Sequence, residues 1–274
     1  MAAITPKVIT LITDFGWDDA YVGQLKGRLL QGCAHILPID ISHTIPPWDI
    51  TAASRCLCDS YSFFPPGSIH LVVVDPGVGS ARRLVAARGD GHYFVAPDNG
   101  ILTGFLHDGR IEQAYALDIP GDASTISHTF HGRDILAPAA SRLACGHPLE
   151  TLGQQLPLDT LVRLAEQTAV SSPAPSDNTL SGKVLTIDHF GNIRTSLHPQ
   201  RNNFDASHLS ALSIKNIVIT QQVNSYSDTT PGNLCFLIDS GGYLEIAINQ
   251  GNAAHTLSCR PGDMVQLYFK TRNR

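Results

Sequence analysis

The sequence lacks both a long apolar segment and a concentration of basic residues. Its first apolar run, residues 8–12, is too short for the hydrophobic part of a signal peptide and far too short to span a bilayer, and no later run does better. Lys and Arg number 19 against 24 Asp and Glu, which gives a formal net charge of −5, and no stretch gathers the basic residues into a phosphate-binding surface. We therefore expect a cytoplasmic protein that binds neither membranes nor nucleic acid.

Paired cysteine motifs are also absent. No two of the six cysteines form a Cys-x-x-Cys pair, and nothing marks the chain as secreted. We expect most of them to be buried thiols, with a metal-binding or disulfide role as the less favoured alternative. The cysteines are Cys33, Cys56, Cys58, Cys145, Cys235 and Cys259.

Several common catalytic and cofactor-binding motifs are missing. Gly77-Val-Gly79 follows an apolar run, but the third glycine of a Gly-x-Gly-x-x-Gly dinucleotide loop would fall on Arg82. The chain has no Gly-x-Ser-x-Gly elbow, no phosphate-binding loop ending in Gly-Lys-Ser/Thr and no His-Glu-x-x-His pair. The sequence therefore gives no support to a nicotinamide-dependent enzyme, a serine hydrolase or a protein that binds nucleoside triphosphates.

What the sequence does contain is ordinary globular material, with 274 residues of which 43% are hydrophobic. In the first part, short apolar runs alternate with helical patterns, which predicts an α/β domain with a mostly parallel central sheet. The predicted strands are 8–13, 36–40, 69–75, 84–88 and 93–97.

Three helices are predicted between these strands. Asp18 or Asp19 can cap the first, which ends at Gly32, and Asp49 can cap the second. The third spans residues 132–144, with Gly146 just beyond its end.

A Ser- and Pro-rich segment, 171–179, predicts a linker between a domain at 1–170 and a second at 180–274. After the linker, short strands alternate with glycine turns, which indicates a small antiparallel β-barrel. Its predicted strands are 182–188, 193–197, 217–220, 234–239, 243–248 and 264–269.

Polar side chains follow the predicted strands of the first domain, where ligands bind in open α/β sheets. Each of them taken singly is equally well explained as a turn former or helix cap. Together they could instead form a metal-dependent hydrolase site, although their spacing matches no strong ligand motif and we expect no metal. The residues are Asp14, Asp40, His43, Asp75, Asp98, His131 and Asp134.

Seven short motifs follow one another along the chain. They are Thr-Asp-Phe-Gly at 13–16, Asp-Ile-Ser-His-x-Ile-Pro-Pro-Trp at 40–48, Phe-Phe-Pro-x-Gly at 63–67, Val-Asp-Pro-Gly-Val-Gly-Ser-Ala-Arg at 74–82, Ala-Pro-Asp-Asn-Gly at 96–100, Thr-Phe-His-Gly-Arg-Asp at 129–134 and Asp-His-Phe-Gly-Asn at 188–192. In this order they resemble the SAM hydroxide adenosyltransferase family, which cleaves S-adenosyl-L-methionine (SAM) into adenosine and L-methionine and is related to SAM-dependent fluorinases and chlorinases. The resemblance covers both predicted domains.

The resemblance implies an α/β domain followed by a β-barrel, in a homotrimer whose sites lie between the first domain of one subunit and the second domain of its neighbour. It implies no cofactor, since SAM is the substrate. The family's catalytic Asp, Arg and His fall on Asp75, Arg82 and His131. We expect Asp75 and His131 to orient the attacking water and take its proton, and Arg82 to stabilise hydroxide character. Which of Asp75 and His131 is the base stays open.

Substrate contacts are also implied by the resemblance. Ribose is assigned to groups of the first domain, the methionine ammonium to one group of each domain, and adenine and the methionine carboxylate mainly to the second. Gly241 departs from the arginine of the halogenating relatives, and Tyr21 replaces a small hydroxyl residue. The implied contacts are Asp14 for ribose, Trp48 for ribose and adenine, Asp19 and Asp188 for the ammonium, Phe190, Asn192 and Tyr226 for adenine, and Ser240 for the carboxylate.

Two other functions are weighed beside hydrolysis. Halogenating relatives carry Tyr in place of Asp75 and an extra loop in the first domain, whereas here the interval 88–93 is short, which favours water over halide as the nucleophile. A SAM- or adenosine-binding sensor without turnover is the alternative from a different class.

Overall fold

The computed structural model describes residues 6–119, 123–165 and 178–270. The chain divides into two compact units, Met1–Leu164 and Ala165–Arg274. The predicted linker at 171–179 lies, up to residue 177, outside the described residues, so its bounds stay a prediction. Within the described ranges, no helix is both long and apolar enough to cross a membrane.

The first unit is built on a seven-stranded sheet with the order β2-β1-β3-β5-β4-β6-β7. β2, β1, β3 and β5 run parallel, while β4, β6 and β7 are joined by antiparallel pairings. The α/β prediction is therefore confirmed, with a mixed sheet whose parallel part occupies one side. The strands are β1 (Lys7–Thr13), β2 (Ile36–Ser42), β3 (Ile69–Val73), β4 (Leu84–Gly89), β5 (His92–Pro97), β6 (Ile111–Leu117) and β7 (Gly153–Leu156).

Apolar residues cover both faces of this sheet. All five residues of β3 are buried, as expected for a central parallel strand that has helices on each side. Successive side chains of a strand point to opposite faces, so Leu71 joins one hydrophobic cluster and Val72 the other. The parallel strands are thereby fixed in register, and their carboxyl ends meet at one edge.

Three helices of the first unit lie where they were predicted, although not every predicted cap is present, and the short helix Thr103–His107 was not predicted. Asp49 accepts a hydrogen bond from the backbone N–H of Ala52, as predicted. The first helix has no side-chain cap, so the prediction that Asp18 or Asp19 caps it is wrong. The helices are α1 (Tyr21–Gly32), α2 (Ile50–Ser60), α3 (Thr103–His107) and α4 (Ala137–Ala144).

The predicted helix at 132–144 has an unexpected first turn. Gly132–Leu136 is π-helical, and α4 continues from it. Pro138 stands at the start of α4, and because proline has no N–H it cannot complete a regular α-helical bond into that turn. The wide turn begins directly after His131.

The second unit is an antiparallel sheet with the order β11-β10-β14-β8-β9-β13-β12, wrapped around one hydrophobic cluster. It nearly closes into a barrel, since the backbone at Gln221 and Val223, after β11, hydrogen-bonds to Phe236 of β12. Helix α5 (Ala253–Leu257) and strand β10 lie outside the predicted elements. The strands are β8 (Thr179–Ile187), β9 (Ile193–Thr195), β10 (Leu209–Ile214), β11 (Ile217–Ile219), β12 (Leu234–Ile238), β13 (Leu244–Ile248) and β14 (Met264–Phe269).

One disulfide corrects the expectation for the cysteines. Cys33, at the end of α1, is bonded to Cys145, directly after α4, with 5.8 Å between their Cα atoms. The two helices pack side by side on the sheet, which brings their ends together although 112 residues separate the cysteines. The other four are free thiols, and Cys235 among them is buried.

Candidate active site

Polar loops follow the parallel strands of the first unit at one edge of the sheet, as predicted. Asp14 comes directly after β1, His43 directly after β2, Asp98 directly after β5, and Asp75 two residues after β3. The carboxyl ends of parallel strands lie at the same edge, so these loops surround one region of the surface.

The loop from Asp75 to Arg82 folds back on itself because of its glycines. Gly79 has φ +80°, and a Cβ there would lie 2.7 Å from the carbonyl oxygen of His128. A Cβ at Gly77 would lie 3.0 Å from Cδ of Arg82. A larger residue at Gly79 would collide with the backbone of His128, and one at Gly77 would crowd Arg82, so the glycines allow a tight loop in which Arg82 turns back over Asp75.

Arg82 bonds to both of the other predicted catalytic residues, Asp75 and His131. Its Nε donates to both carboxylate oxygens of Asp75, at 2.6 and 2.8 Å, and its Nη2 donates to Oδ2 of the same carboxylate. Both Nη atoms lie 3.2 Å from Nδ1 of His131. The Asp75 and Arg82 side chains are only 6% and 10% exposed, so this ion pair is largely shielded from water.

The arginine also decides which nitrogen of His131 holds a hydrogen. A guanidinium only donates, so Nδ1 must accept, and the hydrogen of the neutral ring is on Nε2. Burial lowers the pKa of His131, and the positive charge of Arg82 lowers it further. The neutral imidazole is therefore the form that fits this site at neutral pH.

Phe130, the residue before His131, packs in a cluster of aromatic rings. It makes edge-to-face contacts with Phe15 and Tyr21, each at 5.5 Å between ring centroids. No role for Phe130 could be predicted from the sequence, because a phenylalanine before a polar motif has no distinguishing signal. Tyr21 is 47% exposed at the start of α1, and Asp19 lies exposed in the preceding loop.

Asp14 and Trp48, the two residues predicted to contact ribose, are hydrogen-bonded to each other. The backbone N–H of Trp48 donates to Oδ2 of Asp14 at 2.9 Å. Trp48 has φ +66°, a backbone conformation that residues other than glycine rarely adopt. The Trp48 residue is 73% exposed. The Asp14 carboxylate thus holds an exposed indole at the sheet edge.

A chain of hydrogen bonds from Thr13 through His43 and Asp40 to Lys26 supports the loop that begins at Asp14. His43 is fully buried and bonds through Nδ1 to Oγ1 of Thr13 at 2.8 Å and through Nε2 to Asp40 at 3.0 Å. Lys26 donates to the other oxygen of Asp40 at 2.6 Å. Burial alone would raise the pKa of Asp40, but the bonds from Lys26 and His43 bring it below its usual value.

The remaining strand-end carboxylates have cationic partners of their own. Asp98 bonds to Arg83 and to the backbone N–H of Val162, and Asp134 bonds to Arg133. Across the described part of the chain, no three His, Cys, Asp or Glu side chains come together in a group that could hold a metal ion. Of the residues considered for a metal site, Asp40, Asp75, Asp98 and Asp134 each pair with a different lysine or arginine, whereas Asp14 accepts from the backbone N–H of Trp48.

In the second unit, Asp188 shapes the loop that carries Phe190 and Asn192. Its Oδ1 accepts from the backbone N–H groups of Phe190 and Asn192, at 2.9 and 2.8 Å, and its Oδ2 accepts from the Asn192 amide at 3.0 Å. Phe190 is left 72% exposed, whereas Asn192 is buried. The loop therefore presents one flat aromatic face to its surroundings.

Ser240 lies in the tight turn between β12 and β13, beside groups that the sequence did not single out. Asp239 Oδ1 accepts from the N–H groups of Gly241 and Tyr243, at 2.8 and 2.9 Å. Tyr226 donates to Glu245 at 2.7 Å. Burial raises the pKa of Glu245, and the nearby carboxylates oppose its ionisation. Glu245 was missed because strand-interior residues follow the ordinary alternation of a β-strand.

Comparison with known proteins matches both units to one family. The SAM hydroxide adenosyltransferase N-terminal domain matches residues 9–153, and the C-terminal domain of the same family matches residues 182–266. An (R)-S-adenosyl-L-methionine hydrolase from Salinispora tropica is 36% identical, covering 94% of this chain and 97% of its own. One from Thermus thermophilus is 35% identical, covering 95% and 99%.

More distant relatives and solved structures agree with this. A fluorinase from Actinopolyspora mzabensis is 28% identical, covering 95% of this chain and 96% of its own. The crystal structure of an uncharacterized conserved protein from Thermotoga maritima has a TM-score of 0.84 and 31% identity, over 95% of this chain and 99% of that one.

Proposed function

The chain belongs to the SAM hydroxide adenosyltransferase family, and on that premise we propose that it hydrolyses SAM to adenosine and L-methionine. Three relatives named (R)-S-adenosyl-L-methionine hydrolase are 33–36% identical to this chain over most of its length. The observation that carries the proposal is the set of Asp75, Arg82 and His131, in which Arg82 bonds to both of the other side chains and which two segments of the first unit bring together.

The reaction is a displacement at carbon. The oxygen of water forms a bond to the ribose 5′ carbon while the bond from that carbon to sulfur breaks, and sulfur keeps the electron pair as the thioether of methionine. The water loses one proton. The sulfonium needs no protonation to leave, so catalysis consists of holding the water in line and accepting its proton.

The hydrogen positions in the site divide these tasks. Neutral His131 has its hydrogen on Nε2, so that nitrogen orients the water by donating to its oxygen. The Asp75 carboxylate is the acceptor for the proton, and Arg82 stabilises the negative charge that develops on the oxygen. On this basis we propose Asp75, and not His131, as the base.

We propose that groups of both units bind the substrate, as membership of the family implies. In the first unit, Asp14 and Trp48 bind ribose and Asp19 binds the methionine ammonium. The second unit supplies the contacts to the base and the amino acid. They are Phe190, Asn192 and Tyr226 for adenine, Asp188 for the ammonium and Ser240 for the carboxylate.

We also propose a cytoplasmic homotrimer that needs no cofactor or metal and has no nucleic-acid or membrane partner. Light scattering coupled to gel filtration tests the assembly, with a mass of three chains of 29.5 kDa expected. A monomeric protein with full activity would contradict the trimer.

The function is tested by incubating SAM with the protein in ¹⁸O-water and analysing the products by chromatography and mass spectrometry. We expect one ¹⁸O in the 5′-hydroxyl of adenosine, unchanged rates with EDTA, and no 5′-chloro product at high chloride. Asp75→Ala should abolish turnover, whereas Asp159→Ala, which removes an exposed carboxylate of the same unit, should not. Intact SAM, or loss of activity with EDTA, would reject the proposal.

A further inference from the structure

Arg194 of β9 is the cation beside the Ser240 turn. Its Nε donates to Oδ2 of Asp239 at 2.5 Å, and its guanidinium lies 5.4 Å from the centroid of the Tyr243 ring. Its side chain is 19% exposed, so the arginine is held by packing and yet reaches the surface. An arginine fixed in this way loses little freedom when it binds an anion.

Gly241 makes room for this guanidinium. A Cβ at residue 241 would lie 3.2 Å from Nη2 of Arg194, tighter than an ordinary contact. The backbone of the turn is therefore in direct contact with the arginine, one residue after the hydroxyl of Ser240. Asp239 fixes both partners, because one of its oxygens orders the turn and the other binds Arg194.

The charges around Arg194 complement an amino acid. Asp239 and Asp188 both oppose the ionisation of Glu245, and Glu245 is the cross-strand partner of Arg194 in the register of β13 and β9. The methionine part of SAM has an ammonium and a carboxylate on the same carbon. A cluster of carboxylates around a single guanidinium offers a partner to each.

We infer that Arg194 binds the α-carboxylate of the methionine part of SAM, together with the hydroxyl of Ser240. This rests on the proposed function and extends it by one specificity-determining residue. A guanidinium can bind a carboxylate through two parallel N–H groups. In Arg194, the Nε group is the one that donates to Asp239. Nη2 lies on the Gly241 side of the group, next to the turn.

The test compares SAM with S-adenosyl-3-(methylsulfanyl)propylamine, the analogue in which hydrogen replaces the α-carboxylate. For Arg194→Ala we expect kcat/KM on SAM to fall about 100-fold, and on the analogue less than about threefold, because only SAM has the group that Arg194 binds. Arg194→Lys should retain part of the discrimination, since a lysine keeps the charge but not the fork.

Two further variants separate recognition from folding. Arg194→Gln with Asp239→Asn replaces the ion pair with a neutral hydrogen-bonded pair and should lose discrimination while the protein stays folded. Arg201→Ala removes an exposed arginine whose guanidinium lies 5.8 Å from the same Tyr243 ring. This variant should leave kcat/KM unchanged on both SAM and the analogue.

Calorimetric binding of both compounds in an Asp75→Asn background keeps this test independent of turnover. Tighter binding of SAM than of the analogue, lost on changing Arg194, supports the inference even if no adenosine is ever formed. Equal losses on both compounds, or no loss on either, would overturn the Arg194 assignment while leaving the hydrolase intact. A protein that binds neither compound overturns both.

Discussion

Arg82 determines the chemistry of the proposed site, because one guanidinium binds both of the other catalytic groups. It pairs with Asp75 through Nε and Nη2 and with His131 through its Nη atoms. The planar fork fixes the angle between carboxylate and imidazole, and its charge adds to the effect of burial in lowering the pKa of the imidazole. Geometry and protonation in this site thus depend on the same side chain.

Replacing Arg82 with lysine should therefore lower kcat without much change in KM. A lysine keeps the positive charge but cannot donate to both partners in fixed directions, and we expect kcat to fall about 100-fold. Steady-state kinetics on SAM measures this. Arg83→Lys is the matched control, since the neighbouring arginine pairs with Asp98 instead. Equal losses in the two variants would contradict the assignment.

The lowered pKa of His131 predicts the pH profile of the enzyme. The reaction needs the neutral ring, so kcat/KM should rise with pH through an apparent pKa below 6.5 and stay level above it. Rates measured between pH 4.5 and 8.5 test this. His131→Asn should be slower and lose the acidic limb. A limb that persists in this variant would belong to another group.

Residues of the first unit could be predicted better than those of the second. Asp75, Arg82 and His131 lie in glycine-containing loops, where polar residues are conspicuous and motifs are readable. Arg194 and Glu245 lie within strands, where a charged residue has no signal until the fold shows what stands opposite it. The prediction for the cysteines failed for the same reason, because pairing depends on which helices are neighbours.

At the scale of elements, the apolar runs determined the strands, whereas the helix ends depended on tertiary contacts. Strands β1 to β5 are where their hydrophobic patterns placed them. Asp18 and Asp19 have the right chemistry for a cap, yet α1 begins without one. Helix α1 is held by its buried apolar face, packed against α4 and the sheet, so its start does not require a cap.

The disulfide between α1 and α4 gives a testable prediction. Unfolded without reductant, the chain should show four reactive thiols, and six after reduction. Cys33→Ser with Cys145→Ser should lower the stability of the first unit by about 3 kcal/mol, because the crosslink closes a long loop in the unfolded chain. Cys259→Ser should give three thiols and then five. Six thiols before reduction would contradict the bond.

At the scale of the whole molecule, the two units have separate hydrophobic cores, so they need not unfold together. Their order in the chain could be predicted from the change in pattern near residue 171. Assembly could not, because subunit contacts depend on surfaces whose residues show no periodic signal. Both tryptophans, Trp17 and Trp48, belong to the first unit, and their fluorescence reports on that unit alone.

Tryptophan fluorescence makes the acid sensitivity of the first unit measurable. His70 is fully buried between Thr10 Oγ1 at 2.7 Å and His92 at 3.2 Å, and burial lowers its pKa to about 3. Unfolded, it titrates near 6.5, so below that pH the unfolded state binds more protons. Stability is complete above pH 6.5 and falls as the pH drops towards 3, by about 2 kcal/mol at pH 5.

Urea unfolding followed by tryptophan fluorescence at pH 7 and pH 5 measures this loss. His92, whose pKa burial also lowers, adds to it in the same direction. His70→Asn should be less stable at pH 7 but should lose much less between the two pH values, because the group that must take up the proton is gone. His147→Asn, an exposed histidine of the same unit, should keep the slope of the parent protein. If His70→Asn keeps that slope as well, another buried group controls the acid response of the first unit.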